Sequence, residues 1–310
     1  MPAIIPCILS LYVFTAKGSL MKLFYVAITF ILLAAAMSCE IINPPEEIPS
    51  YISVDSVVLN TNYSTQGSRV ENITDAWVYV DDKLVGVFEI PFTVPVLASG
   101  QSEIEIFPGI KNNGIAAERL IYPFMNFYSD NVELTPAEIL KITPHFSYKD
   151  VTFALLEDFE DLGIAFQVSE QSDTSIMLVT GPDAMEGNSM FFALDSVRDV
   201  FECRSTELFE LPLAKAVYLE MSFKTTDYFT FGLFARKYSN GSSIEIRDPI
   251  ITFNPTSEWK TIYIDLSDCI NDNSDAFDFR LYYTCARSDD QENDTTRVYI
   301  DNVKLIYQQL

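Results

Sequence analysis

The 310-residue sequence predicts an all-β protein with two tandem β-sandwiches after an N-terminal leader and a short tether. Apolar residues alternate with a period of two in many short segments, and no 3.6-residue apolar period runs long enough for a substantial helix. Turn-forming Gly, Asn, Asp and Pro residues separate these segments. In the second half, about eight strand candidates follow one another at short intervals, and this number is typical of a jelly roll.

The charge and the histidine content exclude several classes of function. The chain has 44 acidic and 20 basic residues and a formal charge of −24. Nucleic-acid binding depends on lysine and arginine side chains that neutralise phosphates, so we expect no nucleic-acid partner. His145 is the single histidine of the sequence, which removes most histidine-based catalysis and any multi-histidine metal site.

The N-terminal segment has the pattern of an export signal. Residues 1–38 contain no Asp or Glu, and the apolar run Leu23–Met37 directly follows Lys22. This run is shorter than the roughly 20 residues that a membrane span needs, but it matches the apolar core of a signal peptide. We expect residues 1–38 to be the signal peptide, with Met21 as the true start of the protein.

This run ends with the small residues Ala34, Ala35 and Ala36 before Met37, and Ser38 directly precedes Cys39. A positive end, an apolar run and small residues that abut a cysteine resemble the signal of bacterial lipoproteins. The resemblance implies that Cys39 is acylated and anchors the chain in a lipid bilayer, outside the cytoplasm, at the outer membrane or the cell surface. Ordinary secretion and an uncleaved hydrophobic anchor remain alternatives, and each of them also exports the chain.

Residues 39–50 are expected to form a lipidated tether. Pro44, Pro45 and Pro49 favour an extended, semi-rigid spacer. The acidic pair Glu46 and Glu47 keeps it solvated. Acidic residues after an acylated cysteine also resemble the surface-export tethers of Bacteroidetes lipoproteins.

Residues 51–148 are predicted to form the first β-sandwich. Ala76, Val78 and Val80 alternate with aromatic residues, the turn 81–83 follows, and residues 84–88 return as a second strand that contains Gly86. This strand, acidic turn, strand and proline order resembles a PEGA-like, immunoglobulin-like sandwich. The resemblance implies a spacer or assembly module and no activity.

Residues 151–310 are predicted to form the second sandwich. Four segments in this order resemble the jelly rolls of carbohydrate-binding modules and galactose-binding-like domains: Asp158–Asp161, Glu186–Ala193, Glu258–Leu266 and Tyr299–Leu305. The resemblance implies that the first and last strands lie side by side, and that acidic residues on them bind a structural calcium ion.

Carried over to this sequence, the calcium ligands would be Asp158, Glu160 and Asp301. Carboxylates on adjacent strands repel each other unless a cation bridges them, and calcium prefers six to eight oxygen ligands. The alternative is that these acids lie in water at strand ends, or pair with Lys304 or Arg297.

A sugar site would need aromatic rings that stack on a pyranose face. Tyr228, Phe231 and Tyr282 are the candidates, because they lie on predicted strands of the second sandwich. The alternative for each ring is burial in the core, which is the commoner fate of an aromatic residue on a strand.

Cys203, Cys269 and Cys285 remain after the leader is removed, and their spacing matches no zinc or redox motif. The sequence leaves open whether all three are unpaired thiols in strands or whether two of them form one disulfide bond.

These observations together predict a non-catalytic cell-envelope lipoprotein whose jelly roll binds a glycan or a protein. The alternative is a structural component of an envelope assembly that binds no small ligand. A glycoside hydrolase that uses two carboxylates is a remote alternative, because chance pairs of acids are expected among 44 acidic residues. We therefore expect no catalytic residues and, apart from calcium, no cofactor.

Overall fold

The computed structural model describes residues 21–31, 46–287 and 295–308, and it divides the chain into the units Met1–Ile48 and Pro49–Leu310. In the first unit, residues 21–31 form an exposed α-helix. No helix among the described residues is long and apolar enough to cross a membrane. Cys39, the predicted acylation site, lies outside the described residues.

The first sandwich is built from strands that alternate buried and exposed residues, together with the single-turn helix Tyr63–Gln66. Its described strands are β1 (Ser50–Val54), β2 (Val58–Asn60), β3 (Asp75–Val80), β4 (Lys83–Glu89), β5 (Phe92–Val96), β6 (Gly100–Lys111), β7 (Arg119–Ile121), β8 (Tyr128–Leu134), β9 (Ile139–Ile142) and β10 (His145–Ser147).

The long strand β6 organises the larger sheet of this sandwich. It pairs with β3 on one edge and with β7 and β8 on the other, and β4 completes the order. The opposing layer contains the sheet β5-β1-β9 and the pair β10-β2, in which β1 with β9 and β2 with β10 run parallel. Because β1 begins at Ser50, the last two residues of the predicted tether lie in the folded unit.

The second sandwich contains the short helix Ser267–Asp272 and the 3-10 turn Gly181–Asp183. Its described strands are β11 (Val151–Glu157), β12 (Phe166–Val168), β13 (Met177–Thr180), β14 (Asn188–Leu194), β15 (Val200–Ser205), β16 (Val217–Thr225), β17 (Phe229–Ser239), β18 (Ser242–Phe253), β19 (Thr256–Asp265), β20 (Asp278–Ala286) and β21 (Thr296–Gln308).

These strands form two antiparallel sheets. The six-stranded sheet has the order β13-β14-β21-β16-β19, with β11 on the same edge of β21 as β14. The five-stranded sheet has the order β12-β15-β20-β17-β18. The inner faces of the two sheets interdigitate, as in the stacked rings of Phe192 and Phe201, whose centroids lie 3.7 Å apart. The predicted all-β class with two tandem sandwiches, the second a jelly roll, is confirmed.

The two sandwiches share one buried contact region, which we call the seam. Tyr218, Tyr263 and Ile306 belong to the second sandwich but pack into the buried cluster of the first. The outer face of the six-stranded sheet is therefore covered over part of its area by the first sandwich. In agreement with this contact, Pro49–Leu310 forms a single compact unit.

Candidate functional site

Four acidic side chains surround one small cavity at the seam, which we call the acidic cavity. Asp158, Glu160, Glu186 and Asp301 line it, together with Tyr63, Ser68 and Asn302, and its volume is about 20 Å³. The three predicted calcium ligands are thus brought together in space. Glu186, which precedes β14, and Tyr63 of the first sandwich were not predicted.

Local backbone features aim these carboxylates into the acidic cavity. Phe159 has a φ of 60° and is fully buried in the jelly-roll core, so its neighbours Asp158 and Glu160 both face away from that core. On β21, a bulge opposite Met221 gives Asn302 a φ of 51°. Bulges of this kind re-aim neighbouring side chains, and here Asp301 lines the cavity.

Protein donors already satisfy most of the carboxylate oxygens. Tyr63 Oη donates to Asp158 Oδ2 at 2.5 Å, and the backbone N–H of Asn188 donates to Glu160 Oε1 at 2.5 Å. Ser189 Oγ donates to Asp301 Oδ2 at 2.7 Å. Among the described residues, no group of three or more His, Cys, Asp or Glu side chains is arranged to hold a metal ion.

Two side chains of the acidic cavity, Asp301 and Tyr63, have a raised pKa. Burial raises the pKa of Asp301 to about 7, although hydrogen bonds from Ser189 and two backbone N–H groups oppose the shift. The hydrogen bond to Asp158 is the main cause that raises the pKa of Tyr63 to about 12. The oxygen atoms that line the cavity are of the type that a hard cation binds, but a cation would have to displace their present hydrogen bonds, such as that of Tyr63 with Asp158.

The three predicted stacking residues have different environments. Tyr228 immediately precedes β17 and is 55% exposed. Phe231 lies in the core between the two sheets with no exposed surface, so it has no face with which to contact a sugar. Tyr282 lies on the side of the five-stranded sheet that faces away from the core. Its ring is covered by the guanidinium of Arg247, 4.7 Å from the ring centre.

The face of the five-stranded sheet that points away from the core carries alternating rings and charges, and we call it the outer face. Phe234 lies between the guanidinium groups of Arg204 and Arg247, at 4.2 and 5.1 Å from the ring centre. Glu202 accepts hydrogen bonds from both arginines. These cation–π contacts and ion pairs hold the side chains of the outer face in fixed positions.

One aromatic ring of the outer face is open to solvent. Tyr238 is 74% exposed and stacks on Phe277, with ring centroids 4.8 Å apart and an interplanar angle of 29°. Beside it, Arg236 donates two hydrogen bonds to the carboxylate of Asp278, at 2.5 and 2.6 Å. The arrangement offers an apolar ring face next to a fixed polar pair. Neither Tyr238 nor Phe277 was predicted, because their stacking depends on the pairing of β17 with β20.

All three cysteines of the second sandwich are free thiols. Cys203 and Cys285 are buried in the jelly-roll core, and burial raises the pKa of the Cys285 thiol to about 12. The sequence left open whether two of these cysteines form a disulfide bond, and in the structure all three are unpaired. Buried thiols with a raised pKa are poor nucleophiles.

No protein-family model matches the chain, and a search of the curated proteins gives no match. The solved structures that match include carbohydrate-binding modules. A xylan-binding domain from family 22 has 18% identity and a TM-score of 0.33, and the match covers 52% of this chain and 96% of that domain. A family 22 xylan-binding domain from Paenibacillus barcinonensis has 12% identity and a TM-score of 0.37, with coverages of 52% and 98%. A family 11 module of a Clostridium thermocellum cellulosomal cellulase has 21% identity and a TM-score of 0.33, with coverages of 51% and 95%.

Proposed function

We propose that this protein is a non-catalytic lipoprotein of the cell envelope that binds a glycan on the outer face of its jelly roll. The exposed ring of Tyr238, which stacks on the half-buried Phe277 beside the Arg236–Asp278 pair, carries this proposal. An aromatic face packs against the C–H groups of a pyranose ring, and fixed charged groups hydrogen-bond to its hydroxyls. The jelly-roll architecture and the sequence resemblance to carbohydrate-binding modules support the same proposal.

A glycan array with residues 40–310, compared between the parent protein and Tyr238→Ala, tests this proposal. Removing the exposed ring should weaken binding to any retained glycan by at least tenfold, because the stacking contact is lost while the fold is kept. Phe127→Ala is the matched control, since Phe127 is also exposed and stacks on Phe107 at 4.5 Å, but in the first sandwich. Binding that Tyr238→Ala leaves unchanged would count against this site.

The structural alternative makes a different prediction for the same experiment. If the protein serves only as an assembly component, the array stays silent and envelope proteins co-purify with the full-length chain. The glycan proposal would then be abandoned for the alternative.

Membrane attachment through Cys39 is the second part of the proposal. Replacing Cys39 by serine removes the thiol that carries the acyl chains, so the protein should move from the membrane fraction to the soluble fraction. Cys269→Ser is the control, because Cys269 is a half-buried free thiol in the jelly roll and its loss should leave the membrane fraction unchanged. Membrane retention of Cys39→Ser would argue for an uncleaved anchor.

We also propose that the acidic cavity takes one calcium ion, for which Asp158, Glu160 and Asp301 exchange their present hydrogen bonds for contacts to the ion. A ligand that binds only the native state stabilises it, by about 2.7 kcal/mol at a concentration 100-fold above its dissociation constant. Calcium should therefore raise the melting temperature of the parent protein, and a chelator should reverse the rise. Asp301→Asn should lose this response, whereas Asp55→Asn should keep it, because Asp55 forms only an exposed ion pair with Lys141. A parent melting temperature that is the same with calcium and with chelator would exclude the site.

A further inference from the structure

A second cavity lies at the seam, apart from the outer face and from the acidic cavity, and we call it the seam cavity. Its volume is about 590 Å³, within the range of about 300–1,000 Å³ that is usual for small-molecule sites. The first sandwich contributes Asn72 and the turn from Lys111 to Ile115, and the second contributes residues from β16, β18 and β19. Ligand sites are common at such contacts between domains.

Hydrogen bonds between the sandwiches fix the walls of the seam cavity. The side-chain amide of Asn72 donates to the backbone carbonyl of Thr261 at 2.7 Å. Asn113 bonds to β19 twice, since its backbone N–H donates to Tyr263 O and its Oδ1 accepts from the backbone N–H of Asp265, both at 2.9 Å. The cavity is therefore preformed, which lowers the entropic cost of binding a ligand.

The charge of the lining differs from that of the whole protein. Acidic residues make up 44 of the 310 residues, yet none of the described residues that line the seam cavity is Asp or Glu, and two are lysines. Lys111 is neutralised by Glu89 at 3.1 Å. In the described part of the chain, Lys260 has no ion pair and no hydrogen bond. The seam cavity thus presents one uncompensated positive charge inside a strongly acidic protein.

The rest of the lining is suited to a hydroxylated molecule. The exposed amide of Asn254 has no partner among the described residues, and the side-chain NH₂ of Asn113 is left free by the bonds given above. Ile115 and Ile262 supply apolar wall. Amide groups hydrogen-bond to sugar hydroxyls as donors and acceptors, while the apolar wall contacts C–H faces.

We propose that the seam cavity binds a sugar acid, with Lys260 as the counter-ion of its carboxylate and the amides of Asn113 and Asn254 contacting its hydroxyls. A single free ammonium matches the single charge of a carboxylate. A phosphate carries about −1.5 to −2 charges at pH 7, more than one ammonium group neutralises, and the described lining has no arginine for bidentate binding. This site does not depend on sugar binding at the outer face.

Isothermal titration of the full chain in detergent with three uronic acid disaccharides tests the proposal: digalacturonate, dimannuronate and glucuronosyl-xylose. At least one of them should bind with a stoichiometry of one, whereas neutral galactobiose and inorganic phosphate should bind at least tenfold more weakly. Raising the salt concentration should weaken the binding, because the contact depends on charge. Failure of all three acids to bind, or equal binding of galactobiose or phosphate, would overturn the proposal.

Variants locate the binding within the protein. Lys260→Gln should weaken uronate binding at least tenfold, and Asn254→Ala should weaken it by about three- to tenfold. Both variants should keep the fold, because both side chains are exposed. Lys83→Gln, an exposed lysine in the first sandwich, should leave the affinity unchanged, and so should Tyr238→Ala. Affinity that falls with Tyr238→Ala and not with Lys260→Gln would place the uronate on the outer face and reject the seam cavity.

Discussion

Replacing Glu220 by alanine should lower the free energy of unfolding by about 3 kcal/mol, because buried partners would lose their acceptor and their counter-charge. Glu220 lies on β16 at the seam and is only 3% exposed. It accepts hydrogen bonds from Tyr122 Oη at 2.6 Å and from Tyr148 Oη at 2.7 Å, and both tyrosines belong to the first sandwich. The substitution would leave the O–H donors of two buried tyrosines without their acceptor.

Lys304 adds to this cost. It lies opposite Glu220 in the β16–β21 pairing, is 3% exposed, and donates to Ser68 O at 2.8 Å and to Tyr148 Oη at 3.2 Å. Burial lowers the pKa of Lys304, whereas the charge of Glu220 raises it. Without Glu220, the pKa of Lys304 should fall further, because the negative charge that most strongly opposes the effect of burial is then absent.

Melting curves and urea titrations at pH 7 and pH 9.5 measure both effects. A lysine with a lowered pKa binds fewer protons in the folded than in the unfolded state. Its contribution to stability therefore rises with pH until the pH reaches 10.5, the ordinary pKa of lysine. The deficit of Glu220→Ala should therefore be largest at pH 7 and smaller at pH 9.5. Glu220→Gln keeps one acceptor oxygen and should lose less stability. A loss below about 1 kcal/mol at pH 7 would contradict this account of the seam.

The alternation of residue types along the sequence was sufficient to predict part of the first sandwich. Ala76, Val78 and Val80 were expected on one face of a strand, and all three are buried on β3. The turn that follows has Asp81 and Asp82 at φ values of 49° and 61°, as a two-residue hairpin turn requires. These features depend on neighbours in sequence, and so the sequence alone can specify them.

Strand β15 was not predicted, although it lies inside the five-stranded sheet. Glu202 and Arg204 make its sequence resemble a solvated loop, but each is paired across the sheet, with Arg247 and Glu245 respectively. Such ion pairs form only after distant strands have aligned, so no local pattern predicts them. The unpredicted members of the acidic cavity, Glu186 and Tyr63, have the same explanation, since they come from segments far apart in the chain.

Replacing Gly232 by alanine should destabilise the jelly roll by about 3 kcal/mol or prevent folding, because the new methyl group meets atoms that cannot move aside. A Cβ atom at this position would lie 2.3 Å from the backbone oxygen of Asp248 and 2.5 Å from Tyr282 Oη. Gly232 pairs with Pro249 of β18, directly beside a register shift between Phe231 and Gly232. The contact with Asp248 is therefore to a strand backbone held in a fixed register.

The clash lies on the outer face, so the same substitution should impair folding and binding together. A strand that shifts away from Gly232 would displace Tyr282 and the arginine above it, and any glycan bound to the outer face should be lost together with stability. Gly163→Ala is the control, since no atom lies within 4 Å of its Cβ position and its free energy of unfolding should change by less than about 0.5 kcal/mol. Thermal melts of the two variants measure the difference. Equal melting temperatures would mean that β17 and β18 are not packed as closely as Gly232 requires.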